Sequence, residues 1–366
     1  MAENKNQHYV PRVYLRPFTY DGEGAAINLF NIDRMKPVQN ASAKGQCSRT
    51  YFYGKNQKLE RAINGVENPY GEVVQFLTSE QAEVNVMVQT VLLRFVYLQF
   101  LRTDAASQKA AEMNFEILDL PCSSIPIPDK RERIKAATQI AMQHYASSMG
   151  IVDDLKVCIA RNHTNQSFVT SDDPAVLTNR LFFQRKPAGL RSFGVGKAGI
   201  VFILPLSPLL CAIFYDPAVY YVPHRAGWLD VSNPSDIDAL NQHQIINCKG
   251  NIYFKDWESR QGLISKAQEW VKLRPLNSHE IVHAGLDYSD EWGSRFEVKD
   301  KKDLREGEES LVHFITKHPK PARWPSFLRF RNNATAYSNS TGRGLTRRWC
   351  LDEGYVTGGG YRKVRV

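Results

Sequence analysis

The densest run of chemically active side chains lies near the N-terminus, where residues 6–18 read NQHYVPRVYLRPF. A histidine suits general acid–base catalysis, and arginines suit binding of a phosphate or of developing negative charge. Pro11 and Pro17 restrict the backbone of the residues before them, so we expect an extended strand through this run. Side chains alternate along a strand, which would direct His8 and Arg12 into one pocket.

A second candidate group is Ser171-Asp172-Asp173-Pro174, which follows a strand-like run. Two adjacent carboxylates at the end of a strand suit metal binding or proton transfer. The same four residues are also good turn formers, so a solvated turn is the alternative. For His8, the alternative is a buried histidine that bonds only to the backbone.

Residues 279–283 form a His-Glu-x-x-His motif. On a helix, His279 and His283 would share one face and bind zinc, with Glu280 as general base. Pro275 before the motif and Gly285 after it allow only a short helix, and no third ligand is evident. An exposed helical turn without zinc is therefore the preferred interpretation, and a zinc metallopeptidase ranks third among the functional hypotheses.

The C-terminal region is strongly basic. Residues 317–366 contain eleven basic and two acidic side chains, an excess equal to the net charge of +9 on the whole chain. Cations alternate there with aromatic rings, a pattern that suits phosphate contacts with base stacking. The predicted nucleic-acid-binding residues are Arg329, Arg331, Arg347, Arg348, Trp349, Arg362 and Lys363. A solvated or docked basic appendage is the alternative.

Composition places the chain among ordinary globular proteins, with 43% hydrophobic and 23% charged residues. The six cysteines are scattered and suggest neither disulfides nor a cysteine zinc site. The N-terminus is polar, and the most apolar run, residues 84–101, carries Arg94 near its centre. A charge there opposes a membrane span, so we expect a cytoplasmic protein without membrane contact.

Periodicity indicates which elements must position these groups. Apolar residues recur at helical spacing from Glu80 to about Glu116, on so many faces that this helix should be buried. Arg102 at its end is a candidate pocket residue, and the alternative is that Arg102 caps the helix or pairs with a neighbouring acid. A loop is expected at 121–128, a helix at 129–149 and a hairpin around 162–165. Strands are expected at 26–31, 199–204, 209–215 and 251–254, and further helices at 235–247 and 258–271. These elements predict an α+β fold, with a domain of residues 1–275 and a basic extension of residues 276–366.

The N-terminal run resembles the His-Tyr-Val-Pro-Arg opening of a bacterial family of unknown function, domain-of-unknown-function family 4238. Later stretches that resemble the same family, in order, are Phe52-Tyr53, Glu67, Arg102-Thr103, residues 169–174, residues 205–208 and Asn241. Asp173 is a departure, since the family pattern carries Asn there. The resemblance covers roughly residues 5–256 and implies a shared fold and shared pocket residues.

Together, these observations predict a catalytic pocket formed by His8, Arg12, Glu67, Arg102, Ser171, Asp172 and Asp173. The leading hypothesis is a metal-assisted nuclease or nucleotide hydrolase, acting in defence or as a toxin. Glu67 and Asp172 would hold Mg²⁺ or Mn²⁺, and the arginines would stabilise charge. The second hypothesis is a module that binds nucleic acid or a protein partner without catalysis. Oligomeric state is not indicated by the sequence.

Overall fold

A computed structural model describes residues 6–54, 57–79, 82–119, 128–185, 191–291, 293–305, 307–341 and 343–366. The α-helices of these segments are α1 (Arg12–Leu15), α2 (Gln57–Leu77), α3 (Val86–Arg102), α4 (Asp104–Leu118), α5 (Lys130–Ser148), α6 (Arg180–Arg185), α7 (Pro234–Asn247), α8 (Arg260–Trp270) and α9 (Arg348–Asp352). The strands are β1 (Asn6–His8), β2 (Ala26–Asn31), β3 (Lys36–Ser42), β4 (Ser48–Thr50), β5 (Lys156–Asn162), β6 (Thr170–Ser171), β7 (Val176–Thr178), β8 (Val201–Pro205), β9 (Leu210–Tyr215), β10 (Tyr220–Tyr221), β11 (Trp228–Val231), β12 (Asn251–Phe254), β13 (His279–Asp290), β14 (Gly293–Lys299), β15 (Ser310–Thr316), β16 (Arg329–Phe330), β17 (Thr335–Ser338) and β18 (Arg362–Arg365).

These elements form mixed sheets and helices, and the predicted α+β fold is confirmed. The largest sheet has the order β11-β5-β9-β8-β7, in which only the β11–β5 pair is parallel. A four-stranded antiparallel sheet has the order β3-β2-β12-β6. The sequence between β6 and β7 contains Asp172 and Asp173, so these two carboxylates lie where the chain passes from one sheet to the other.

The predicted central helix is two helices, of which α3 is largely buried and α4 only partly buried. α3 ends at Arg102, and Thr103 has an extended backbone with φ −63° and ψ 159°. The Thr103 hydroxyl accepts a hydrogen bond from the backbone N–H of Ala106 at 3.2 Å, so it caps the first turn of α4. Phe95 in α3 stacks on Tyr70 of α2 with ring centroids 3.6 Å apart, deep in the main core.

Two other local predictions are wrong. Strand β1 of the N-terminal run ends at His8, and α1 begins at Arg12, directly after Pro11, because proline is well accommodated at the start of a helix. The strands on either side of residues 162–165 do not form a hairpin: β5 pairs with β9 and β11, whereas β6 pairs with β12 in the other sheet. The predicted loop at 121–128 lies, except for Pro128, outside the described residues.

Part of the basic C-terminal region packs onto the preceding chain. β16 pairs with β10, with Phe330 opposite Tyr220. Phe327, Leu328 and Ala336 share a buried cluster with Ile203 of the large sheet. The boundary at residue 275 itself stays a prediction. None of the helices in the described segments is both long enough and apolar enough to cross a membrane.

Candidate functional site

Arg102 links the end of α3 to α2. Its side chain is fully buried, and its Nη1 donates to Glu67 Oε1 at 2.5 Å. Its Nε donates to Gln99 Oε1 at 3.1 Å, and Gln99 donates in turn to the Tyr9 carbonyl at 2.9 Å. A buried guanidinium needs such partners, because an unpaired charge in the interior costs several kcal/mol. This network ties α3 to α2 and to the segment that follows β1.

His8 and Arg12 lie next to this network. Arg12 is positioned by helix α1, and not by the continuous strand that the sequence predicted. The His8 carbonyl accepts a hydrogen bond from the Tyr53 hydroxyl at 3.1 Å. Burial lowers the pKa of His8, the charge on Arg12 lowers it further, and Glu67 opposes the shift. Arg12 is exposed, and its Nη2 donates to the Gly24 carbonyl at 3.4 Å. His8 is therefore mainly neutral near pH 7. We call His8, Arg12, Glu67 and Arg102 the N-terminal cluster.

We expect Glu67→Gln to reduce the free energy of unfolding by about 2 kcal/mol, since the buried Arg102 would lose its anionic partner but keep a hydrogen-bond acceptor. Glu72→Gln is the matched control, because Glu72 lies on the same helix and is exposed. Urea unfolding of both variants measures the difference. Equal stability of the two variants would mean that the ion pair contributes nothing.

The Asp172 carboxylate is occupied by backbone groups of the turn before β12. Its Oδ1 accepts from the Lys249 N–H at 2.8 Å, and its Oδ2 accepts from the N–H groups of Gly250 and Asn251, each at 2.9 Å. Burial raises the pKa of Asp172 to about 6, although these three hydrogen bonds act in the opposite direction. The contacts assign Asp172 a structural role at this turn.

Ser171 is fully buried, and its hydroxyl donates to Gln244 Oε1 at 3.0 Å. It also accepts from the Asp173 N–H at 3.3 Å. The Ser171 hydroxyl therefore uses its proton and one lone pair to bond to neighbouring residues. No described contact directs Ser171 toward a cavity.

Asp173 differs from its neighbours because it lines a cavity of about 650 Å³. Its Oδ1 accepts from the Thr103 hydroxyl at 2.8 Å, which fixes the carboxyl group against the α3–α4 junction. Burial raises the pKa of Asp173 to about 7, and the neighbouring Asp172 adds to the rise. Near neutral pH this carboxyl group is therefore protonated far more often than an ordinary aspartate.

Four cationic side chains line the same cavity, which we call the first cavity: Lys109, Lys249, Arg274 and Lys317. Lys249 is paired with Asp104, and Lys317 with Glu280. Burial lowers the pKa of Lys109, while the charges on Asp173 and Glu112 raise it. An apolar part of the wall includes Phe100, Leu101, Met113 and Phe193. The cavity thus combines an apolar wall, four cations and two carboxyl groups, those of Glu112 and Asp173, of which Asp173 has the raised pKa.

His318 closes one side of the first cavity. Its ring stacks on Phe193 with centroids 3.6 Å apart, and Nε2 lies 3.0 Å from the Phe193 carbonyl. Burial lowers the pKa of His318 to about 3, and the charge on Lys109 lowers it further. A neutral histidine beside the cavity adds hydrogen-bonding capacity without adding charge.

The seven pocket residues predicted from sequence therefore fall into two groups on either side of the Arg102-Thr103 junction. The N-terminal cluster forms one group, and Ser171, Asp172 and Asp173 form the other. Only Asp173 lines the first cavity. The lysines and Arg274 were missed, because they come from α4, from the turn before β12 and from residues beyond α8, and no local pattern joins them.

No group of three or more His, Cys, Asp or Glu side chains within the described segments could hold a metal ion. Glu67 is engaged by Arg102, and Asp172 by the backbone. Metal binding by these two residues stays a prediction.

The helix predicted for the His-Glu-x-x-His motif is wrong, because residues 279–283 lie in strand β13. Alternation along the strand places Glu280 on the face opposite to His279 and His283. Glu280 instead pairs with Arg191 and Lys317. The β-strand arises from pairing with β14 and β15, which the local sequence does not reveal. The zinc-peptidase hypothesis depended on a helix.

The seven residues proposed for nucleic-acid binding have mixed environments. Arg347 is 3% exposed and contacts Asp154 at 3.1 Å, and Arg331 donates to the Pro217 carbonyl at 2.7 Å. Trp349 is half-buried and donates to the Gly150 carbonyl at 2.8 Å. The exposed members are Arg329, Arg348, Arg362 and Lys363. Arg331, Arg347 and Trp349 thus make contacts within the fold.

The model of a family described as "Protein of unknown function (DUF4238)" matches residues 6–258. The chain belongs to this family. The matched range contains the N-terminal cluster, Asp173, Lys109 and Lys249, and it ends before Arg274. No curated protein and no solved structure matches the chain.

Proposed function

We propose that the protein hydrolyses a phosphate ester, either a nucleotide or a phosphodiester, in the first cavity. The observation that carries the proposal is the position of Asp173, whose pKa is about 7, in a cavity lined by Lys109, Lys249, Arg274 and Lys317. Lysine and arginine bind phosphate oxygens through charge-assisted hydrogen bonds. An effective general base has a pKa near the working pH.

In this mechanism, Lys109 and Arg274 bind the phosphoryl oxygens and stabilise the charge that develops on them. Neither side chain forms a described ion pair closer than 4.0 Å, whereas Lys249 and Lys317 do. Asp173 removes a proton from the attacking water, whose oxygen bonds to phosphorus as the ester P–O bond breaks. The leaving alkoxide takes up a proton from solvent. Thr103 orients Asp173 by its 2.8 Å hydrogen bond, and the apolar wall accommodates an uncharged part of the substrate such as a base.

The test is incubation of the purified chain with nucleotides, RNA and single- and double-stranded DNA, in Mg²⁺, Mn²⁺ or chelator. We expect Asp173→Asn to lower kcat/KM by about 100-fold or more, the usual contribution of a general base. Lys109→Met should weaken substrate binding about tenfold, and Lys36→Met, at an exposed position on β3, is its matched control. The wild-type rate should increase as pH rises through about 7, where Asp173 ionises.

Full activity of Asp173→Asn, together with equal binding by the Lys109→Met and Lys36→Met variants, would refute the proposal. Binding that depends on Lys109 without any turnover would favour the second hypothesis, a binding module. Activity that disappears in chelator would support the metal requirement predicted from the sequence.

A further inference from the structure

A second cavity of about 510 Å³ lies between the segment around β4, α4 and the first half of α5. Its lining residues are Arg49, Thr50, Tyr51, Phe52, Gln108, Lys130, Arg131, Ile134 and Lys135. Four of these nine are cationic and none carries a carboxylate. Lys130, Arg131 and Lys135 are exposed on α5. Arg49 is paired with Asp104, so the excess of positive charge in this wall comes from the three cations of α5.

Two of these cations share one face of a helix. Arg131 and Lys135 are four residues apart on α5, a spacing at which like charges repel by a few tenths of a kcal/mol, and Glu132, three residues before Lys135, offsets part of this repulsion. A bound anion would convert this repulsion into attraction. Phosphate groups suit such a wall, because arginine and lysine are their usual partners.

The second cavity adjoins the first. Gln108 lines both. Asp104, at the start of α4, is 3% exposed, and its Oδ2 accepts from Arg49 of the second cavity at 2.8 Å and from Gln108 at 3.0 Å. The same carboxylate is paired with Lys249 of the first cavity. One buried carboxylate thus holds a cation of each cavity, and the first turns of α4 separate the two.

We propose that the second cavity binds a further phosphate of the same substrate, so that the preferred substrate is a single-stranded oligonucleotide and not a mononucleotide. The inference rests on the proposed function, which places a phosphate in the first cavity. A chain with a phosphate at every nucleotide can contact both cationic walls at once, whereas a mononucleotide can contact only one. Single-strand binding sites commonly combine such cationic walls with aromatic side chains. The half-buried Tyr51 lies in this wall, whereas Phe52 is 5% exposed and belongs to the main core.

The test compares binding of a labelled mononucleotide with that of labelled single-stranded DNA and RNA of about twelve nucleotides, a length within the range of known single-strand sites. We expect the double variant Arg131→Ser, Lys135→Ser to bind the oligonucleotides at least tenfold more weakly and the mononucleotide as well as wild type. The salt dependence of oligonucleotide binding should decrease by about 1.4 in log–log slope, or about 0.7 for each phosphate that the variant no longer neutralises.

Arg34→Ser, Lys36→Ser is the matched control, since it removes one arginine and one lysine from exposed positions around the β2–β3 turn. Melting curves of both double variants establish that they are folded. Equal oligonucleotide binding by the two double variants would overturn the inference, as would a parallel loss of mononucleotide binding. No oligonucleotide binding by the wild type would overturn it as well.

The same measurements separate this inference from the proposed function. Lys109→Met tests the first cavity and should weaken both ligands. If it weakens neither, while the α5 double variant still loses the oligonucleotide selectively, the first cavity is not the phosphate site and the second cavity stands as a separate single-strand site.

Discussion

Asp172→Ala is expected to destabilise the protein by about 3–5 kcal/mol, because it would leave three backbone N–H groups at residues 249–251 without their acceptor. Each unsatisfied buried donor costs about 1–3 kcal/mol, and partial hydration of the turn would recover some of that loss. The turn precedes β12, the strand that pairs with both β2 and β6. The effect should therefore spread through the four-stranded sheet.

The measurement is equilibrium unfolding in urea at neutral pH, followed by circular dichroism. Asp256→Ala is the matched control, because Asp256 is exposed and its Oδ1 accepts from one backbone N–H, that of Glu258 at 3.0 Å. We expect the control to lose about 1 kcal/mol or less. Equal losses in the two variants would show that Asp172 is not required at the turn and would restore it as a candidate catalytic or metal-binding residue.

The different environments of Asp172 and Asp173 show how much of the site the sequence could predict. The Ser-Asp-Asp-Pro run lies at the end of a strand, β6, as the sequence indicated. It could not distinguish the two carboxylates, because that distinction depends on residues 249–251 for Asp172 and on Thr103 for Asp173. Lys109 and Arg274 had no recognisable motif, since they meet Asp173 only after α4 and the segment after α8 pack around the first cavity.

The sequence predicted the secondary structure best where the periodicity of apolar residues agrees with the observed burial. β8, β9, β12 and α7 were expected close to their observed bounds, because their apolar runs have the lengths of buried elements and are bounded by turn residues or caps. The errors occurred where one residue or a distant strand decided the structure. Thr103 caps the first turn of α4 and so separates α4 from α3. Residues 279–283 form a strand because they pair with β15.

The stability of the wild-type protein should decrease over the same pH range in which its activity increases, because ionisation of Asp173 causes both changes. Burial raises the pKa of Asp173 from an ordinary value of 3.8 to about 7, so the folded state favours the protonated carboxyl. This preference stabilises the fold below pH 3.8 and is lost as pH rises through 7. Above that range, the ionised carboxylate costs up to about 4 kcal/mol, because the pKa differs by roughly three units at about 1.4 kcal/mol each.

Asparagine cannot ionise and can still accept the Thr103 hydrogen bond. Asp173→Asn should therefore gain up to about 4 kcal/mol over wild type at about pH 8 and almost nothing near pH 4. Unfolding free energies across this pH range measure the difference, with Asp256→Asn as an exposed control that should show no trend. If burial of an ionisable carboxyl serves catalysis at the expense of stability, its replacement should give a protein that is more stable but inactive. If the variant is no more stable than wild type at high pH, Asp173 is already well solvated as an anion. Its pKa would then not be near 7, and the proposal that it acts as a general base near neutral pH would be refuted.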